Sequence, residues 1–158
     1  MKWLTTLASS VSDTSLAAKF RRRRFKVFLR ILDRIGQHAV SILDVGGTEV
    51  FWEIMGLAGS RHEITLLNIE KSSTNYSNIS SVAGDARDLS HFPDKSFDVV
   101  FSNSVIEHLS TLDNQKLMAE EAIRVGRHYF IQTPNFYFPL EPHFLIPFFH
   151  WLPRSTRL

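Results

Sequence analysis

After residue 40, short apolar runs alternate with stretches of helical periodicity, and this alternation limits the possible fold more than any other feature of the sequence. The apolar runs predict five β-strands bounded by polar residues or glycines, at residues 41–45, 63–69, 79–83, 97–102 and 128–133. Between them, residues 49–58 and 112–125 have the spacing of helices. This alternation predicts a doubly wound α/β domain with a mostly parallel sheet.

Composition limits the chemistry and the number of domains. The chain has 158 residues, of which 44% are hydrophobic and 22% charged, as expected for one globular domain. It has no cysteine, which excludes disulfides, thiolate zinc sites, iron–sulfur clusters and a cysteine nucleophile. No apolar run reaches the roughly 18–20 residues that span a bilayer, and the apolar start is too short for a secretory signal. We therefore expect a cytoplasmic protein.

Positive charge is concentrated near the N-terminus. Residues 1–40 carry nine Lys or Arg and two Asp, whereas the remaining 118 residues have a charge of −5. Residues 19–35 combine the run Arg21–Arg24 with apolar residues at helical spacing, which predicts a basic amphipathic helix. Asp13 or Thr14 can cap its start, and Gly36 can end it.

Two interpretations of this basic helix remain open. It can lie on an anionic membrane surface as a peripheral contact, since basic side chains beside an apolar face give both attraction and burial. Alternatively, it packs its apolar stripe on the domain and leaves a solvated basic face, as many surface helices do. Nucleic acid is a weaker option, because no recognisable binding module surrounds the arginine run.

Polar residues and glycines cluster where the first four predicted strands end. In an open parallel sheet, ligands bind beyond the carboxyl ends of the strands. Glycine there lets a ligand approach the backbone, and polar residues 22 and 24 positions after Gly46 are near the spacing at which a ribose is held. The candidate residues are Asp44, Gly46, Gly47, Asn68, Glu70, Asp85, Ala86, Asn103 and His108.

The order and spacing of three later stretches are more specific: V-A-G-D-A-R-D-L at 82–89, F-P-D-K-S-F-D-V-V at 92–100 and S-N-S-V-I-E-H-L at 102–109. Together they resemble the class I S-adenosylmethionine-dependent methyltransferases, particularly the type 11 branch, over about residues 41–135. The resemblance implies a Rossmann-like sheet with strand order 3-2-1-4-5. It also implies methyl transfer from S-adenosylmethionine, and we expect the methyl acceptor to be an oxygen of a small molecule, a sugar or a lipid.

The resemblance also implies roles for individual residues. The residue matching Asp85 contacts the adenine amino group, and the backbone at Ala86 reaches the ring. The turn at Asp44 and Gly46 lies beside the methionine part of the cofactor, and the end of the second strand holds the ribose hydroxyls. Gly47 and Asn103 complete the predicted cofactor site.

The sequence departs from the family pattern at these positions. Thr48 and Val50 stand where glycine is usual, and Asn68 stands where an aspartate is usual. An amide oxygen accepts one ribose hydrogen bond but not two, and it offers no charge to the sulfonium. Glu70 lies two residues further on and points to the same side of an extended strand, so we expect that it can substitute.

The C-terminal part is short for this family. Only 25 residues follow Thr133, so the last two of the usual seven strands are predicted to be missing, and the polypeptide is either a shortened domain or a fragment of a longer enzyme. We expect three regions: a basic helix region over 1–38, a cofactor-binding domain over 39–135 and an aromatic, proline-rich segment over 136–158. This segment either roofs the substrate site or covers the edge of the fifth strand, which otherwise invites a homo-oligomer.

Methyl transfer from a sulfonium is an in-line displacement, so it depends mainly on positioning in a dry site. For a hydroxyl acceptor a histidine can act as general base near neutral pH, and His108 and His143 are the candidates. We do not predict a metal site, because nothing in the sequence shows that Glu107, Glu141 and the two histidines converge.

Two other functions compete with methyl transfer. The departures at the glycine turn and at Asn68 favour a degenerate module that keeps the fold and binds a membrane or a protein partner. A nucleotide-dependent dehydrogenase is disfavoured, because residues 46–49 lack the glycines that seat a pyrophosphate on a helix N-terminus.

Overall fold

The computed structural model describes residues 16–36 and 38–133, with side chains from residue 23 onward. Its elements are α1 (Leu16–Ile35), β1 (Ser41–Val45), α2 (Glu49–Ile54), β2 (Glu63–Asn68), β3 (Ile79–Ala83), β4 (Phe97–Asn103), a 3₁₀ turn (Ile106–His108), α3 (Leu112–Val125) and β5 (Gly126–Gln132). The predicted helix caps Asp13 and Thr14, and the predicted aromatic segment 136–158, lie outside the described residues.

Contacts divide the chain into two units. The sheet unit, residues 27–133, contains all five strands together with α2 and α3. The other unit is formed by residues 1–26 and 134–158, of which the structure describes only residues 16–26, the first part of α1.

The five strands form one parallel sheet in the order β3-β2-β1-β4-β5, which confirms the predicted strand order. Asp44 of β1 pairs with Leu66 of β2 on one side and with Phe101 of β4 on the other. The chain leaves β1 toward β2 and later returns to the other side of β1 to form β4. The connections after β1 and β4 therefore diverge, and this is where an open α/β sheet leaves a ligand crevice.

Four of the predicted strands and helices after residue 40 end or begin elsewhere than predicted. Helix α2 stops at Ile54 rather than at residue 58, because Gly56 adopts φ +78° and the Gly56 and Leu57 N–H groups donate back to Glu53 and Trp52 carbonyls. Strand β2 ends at Asn68, one residue early, and β4 ends at Asn103, one residue late. Strand β5 covers Gly126–Gln132 instead of residues 128–133. The bounds of β1, β3 and α3 are as predicted.

The two faces of the sheet are covered by different helices. Helix α3 packs Met118, Ala122 and Val125 against residues that include Leu43 and Val100. Side chains alternate along a strand, so Phe101 lies on the opposite face from Val100. That face holds an aromatic cluster contributed by α1, α2, β4 and β5: Phe28, Phe51, Trp52, Phe101 and Phe130.

The predicted basic amphipathic helix is confirmed as α1. Phe28 is fully buried, with its ring centroid 4.8 Å from that of Phe101, and Leu32 is also buried. Arg30 and Arg34, on the same helix, are exposed. The helix ends directly before Gly36, as predicted. In the part of the chain that the structure describes, no helix has both the length and the apolar character needed to cross a membrane.

Helix α3 also fixes the connection between β3 and β4. The Arg124 guanidinium donates to the carbonyls of Leu89 and Phe92 at 2.8 and 2.9 Å and pairs with Asp94 and Glu121. These bonds hold the loop that starts after β3, where the predicted adenine contact Asp85 lies.

Candidate functional site

A cavity of about 130 Å³ opens at the carboxyl ends of β1 and β4. It is lined by Asp44, Gly46, Gly47, Thr48, Phe51, Phe101 and Asn103. Four of these residues were predicted for the cofactor site, and the cavity lies where the sheet topology predicts a ligand crevice.

Asp44 carries the ionisable group of the cavity. Its side chain is 1% exposed, and Oδ2 accepts a hydrogen bond from Trp52 Nε1 at 2.6 Å. Oδ1 is buried without a hydrogen-bond partner among the described residues. Burial raises the pKa of Asp44 to about 7, against the opposing effect of the Trp52 hydrogen bond.

Asn103, the last residue of β4, provides a second unpaired oxygen. Its buried Oδ1 also lacks a hydrogen-bond partner within the described ranges. The next residue, Ser104, adopts φ +61°, which is uncommon for a residue other than glycine, and its N–H donates to the Gln132 carbonyl at 2.8 Å. Buried oxygens without a donor are costly, so a cavity lined by Asp44 and Asn103 suits a ligand that donates hydrogen bonds or carries positive charge.

Gly46 and Gly47 are required by the protein's own packing. Gly46 has φ +78°, and a Cβ added there would lie 2.3 Å from Val105 Cγ2. A Cβ on Gly47 would lie 1.5 Å from Asp44 Oδ2. Close approach of a ligand, the expected reason for these glycines, is incomplete as an explanation, because Val105 and the Asp44 carboxyl already occupy the space that each Cβ needs.

Asn68 bonds to the glycine turn. Its Nδ2 donates to the Gly47 carbonyl at 2.9 Å, and the side chain is half-buried. Glu70 is exposed in a bend beyond β2. The premise that Glu70 shares a side with Asn68 along an extended strand is wrong, because β2 ends at Asn68 and strand alternation does not continue to residue 70.

Asp85 is held by an arginine two residues further on. Arg87 Nε lies 2.9 and 3.1 Å from the two Asp85 oxygens, and the Arg87 backbone N–H donates to Oδ1. Arg87 Nη1 also reaches Asn114 Oδ1 of α3 at 3.3 Å. The Arg87 hydrogen bonds lower the pKa of Asp85, so this carboxylate is oriented and ionised. Ala86 is half-buried and packs against the hydrophobic core.

Neither histidine candidate is among the residues that line the cavity, and one of them lies outside the described residues. His108 is exposed in the 3₁₀ turn and does not line the cavity, and neighbouring Glu107 accepts a hydrogen bond from Thr133 Oγ1 at 3.2 Å. His143 and Glu141 lie outside the described residues. Within the ranges 16–36 and 38–133, no group of three or more His, Asp or Glu side chains is placed to hold a metal ion.

Sequence reasoning missed three lining residues and the donor to Asp44. Phe51 and Trp52 both follow the glycine turn within the first residues of α2, and Thr48 caps that helix through a 3.3 Å bond from Phe51 N–H. A tryptophan eight residues after a buried aspartate is a usable signal, since a buried indole N–H needs an acceptor. The position of Phe101 at the cavity follows only from its pairing with Asp44 across β1 and β4, which the structure shows.

Comparison with known sequences finds one family. The sequence profile described as a methyltransferase domain matches residues 36–128. Among curated proteins, an uncharacterized protein of Mycobacterium tuberculosis, from strains H37Rv and CDC 1551, is 41% identical over 65 residues. The alignment covers 41% of this chain and 22% of the relative, so the chain spans about a fifth of the length of these curated relatives.

Solved structures match over most of the chain. A SAM-dependent methyltransferase from Archaeoglobus fulgidus matches with a TM-score of 0.53 and 24% identity, over 74% of this chain and 56% of that one. The CurJ carbon methyltransferase matches with a TM-score of 0.54 and 14% identity, over 70% of this chain and 34% of that one. At these identities the likeness establishes the fold.

Proposed function

This chain belongs to the methyltransferase domain family, and we propose that it binds S-adenosylmethionine and transfers the methyl group to an acceptor. The observation that carries the proposal is the pair of buried, unpaired oxygens, Asp44 Oδ1 and Asn103 Oδ1, at residues that line one cavity. S-adenosylmethionine has an ammonium group that donates hydrogen bonds and a sulfonium that carries positive charge. Both match the acceptor atoms and the carboxyl group of this cavity.

The size and position of the cavity support the same ligand. At about 130 Å³ it is smaller than the roughly 300–1,000 Å³ of a site that holds a whole ligand, so it fits one end of the cofactor. The strand order places the ends of β2 and β3 beside it, and two strand spacings cover about 10 Å. An adenosyl group leaving the cavity in that direction would pass Asn68 and reach Asp85.

Residues along that direction have suitable chemistry for an adenosyl group. Ile69 directly follows Asn68 and is 75% exposed, an apolar surface of the kind on which a flat ring packs. Asp85 is an ionised acceptor for an exocyclic amine. Asn68 keeps Oδ1 for a single ribose hydroxyl, since its amide donates to Gly47.

The bound cofactor would supply an electrophilic methyl group on a positively charged sulfur. The chain's own residues orient and shield it: Asp44 and Asn103 hold the amino-acid end, while Phe51 and Phe101 exclude water from the cavity. For the methyl acceptor we propose an oxygen of a small molecule, a sugar or a lipid. Exposed His108, after β4, is the proposed base.

A second candidate function is binding without catalysis. It is favoured by Asn68, whose uncharged amide replaces the usual aspartate and is already engaged with the Gly47 carbonyl. A domain of this kind would keep the fold and bind a membrane or a protein partner.

Calorimetric titration of the full chain tests the proposal. We expect submillimolar binding of S-adenosylmethionine and S-adenosylhomocysteine, reduced at least about tenfold by Asn103→Leu, which removes the unpaired oxygen at similar volume. The matched control is Asp98→Asn, at the opposite end of the sheet, where Asp98 accepts from Ser41 at 2.9 Å. Absence of binding to the folded wild-type chain contradicts the proposal and favours the second candidate.

A further inference from the structure

We propose that Asn68 is a positioning residue whose amide N–H fixes the turn of Gly46 and Gly47, so that an acid in its place weakens cofactor binding instead of restoring it. This inference rests on the proposed function, since it concerns the geometry of the same cavity. It gives Asn68 Nδ2 a role of its own beside the ribose contact proposed for Oδ1.

The hydrogen bonds around Asn68 join three loops at the carboxyl edge of the sheet. Asn68 Nδ2 donates to the Gly47 carbonyl at 2.9 Å, which links the end of β2 to the turn after β1. The Asn68 carbonyl accepts from the Gly84 N–H at 2.8 Å, which links it to the loop after β3. Asn68 therefore connects the cavity to the loop that carries Asp85.

A backbone hydrogen bond holds the turn at Gly46, whereas the Asn68 side chain holds it at the Gly47 carbonyl. Gly46 is in the left-handed region and donates its N–H to the Leu67 carbonyl at 2.8 Å. The Asp44 carboxyl occupies the space where Gly47 would carry a Cβ. Within residues 23–36 and 38–133, Asn68 is the one side chain that donates a hydrogen bond to either glycine. The position of the Gly47 carbonyl, and with it one wall of the cavity, therefore depends on this amide.

A carboxylate at position 68 cannot make this bond. It has the size of the amide but no hydrogen-bond donor, so one of its oxygens would face the Gly47 carbonyl oxygen. Leaving a half-buried carbonyl unpaired beside a like-charged atom favours displacement of the turn.

The test compares Asn68→Asp and Asn68→Ala with Asn78→Asp by titration with S-adenosylhomocysteine. Asn78 is the matched control, because its Nδ2 also donates to backbone carbonyls, those of Leu57 and His62 at 3.0 and 2.9 Å, away from the cavity. We expect at least about a tenfold loss of affinity in both Asn68 variants and less than about a threefold change in Asn78→Asp.

Amide chemical shifts of the ligand-free chain, recorded by NMR where each variant is fully folded, give a readout that general destabilisation would not move. We expect the Gly46 and Gly47 amide signals to shift in Asn68→Asp and to keep their wild-type positions in Asn78→Asp. Wild-type affinity or tighter binding in Asn68→Asp, or unchanged glycine amides, overturns the positioning role. Absence of binding by the wild-type chain instead overturns the proposed function, and the NMR comparison still decides whether Asn68 holds the turn.

Discussion

Replacing Asp44 with asparagine should stabilise the fold at neutral and alkaline pH while weakening cofactor binding. The substitution keeps an oxygen that accepts from Trp52 Nε1 but removes a carboxyl that has to ionise in a buried position. Stability and function therefore move in opposite directions, as they do for groups retained at binding sites.

The magnitude follows from the pKa of Asp44. The pKa is 3.8 in the unfolded chain and about 7 in the folded one, so between these values the folded state binds the proton more tightly. Stability is then greatest at low pH and falls as pH rises toward 7, because ionisation costs the folded state more than the unfolded one. From pH 5 to pH 8 the loss amounts to roughly 3 kcal/mol, or roughly 6–12 °C in Tm for a chain of this length.

Urea unfolding at pH 5, 6, 7 and 8 measures this effect. The quantity to follow is the free energy of unfolding of Asp44→Asn minus that of the wild type, because the other titrating groups cancel in the difference. We expect this difference to grow by roughly 3 kcal/mol from pH 5 to pH 8. A difference that does not change with pH, or that shrinks as pH rises, refutes a buried carboxyl with a raised pKa.

Two further predictions concern the glycine turn and α1. Gly47→Ala should lower the free energy of unfolding by about 2–3 kcal/mol or more, because the new Cβ would lie 1.5 Å from Asp44 Oδ2. Adding Asp44→Ala to the same chain should recover at least half of that loss, as measured by urea unfolding. Losses that simply add in the double variant would contradict the contact. We also expect salt-sensitive cosedimentation with anionic vesicles, because α1 buries Phe28 and exposes Lys26 and Arg30. Binding should be lost in Lys26→Glu/Arg30→Glu and kept in the control Lys71→Glu/Lys116→Glu. Binding that persists in 0.5 M salt, at a Debye length of about 4 Å, would contradict an electrostatic contact.

The strands of the sheet were predictable because the sequence pattern that marks each strand is local. Each strand is a short apolar run, and the order 3-2-1-4-5 follows from the family resemblance carried by residues 82–109. The early end of α2 was also readable, since Gly56 followed by Leu57 is the pattern of a glycine-terminated helix. The end of β2 was not, because Ile69 continues the apolar run yet is 75% exposed.

The partners of the site residues could not be predicted, because they are set by tertiary contacts. A sequence shows that Gly47 lacks a Cβ, but not that the Asp44 carboxyl fills the space. Likewise, the sequence indicates that Asn68 replaces a ribose ligand, and only the structure shows the bond of its amide to the Gly47 carbonyl. In both cases the residue type was informative, and its role depended on a group more than two positions away in sequence.

Several unfavourable features meet at the cavity, and their coincidence supports a binding role. Asp44 Oδ1 and Asn103 Oδ1 are buried without donors among the described residues, and Ser104 beside Asn103 adopts φ +61°. Each feature costs stability, and substitution by an apolar residue or by glycine would relieve it. A cavity serving only to pack the sheet gains nothing from these costs, whereas a ligand that donates hydrogen bonds and carries positive charge offsets the first two when it binds.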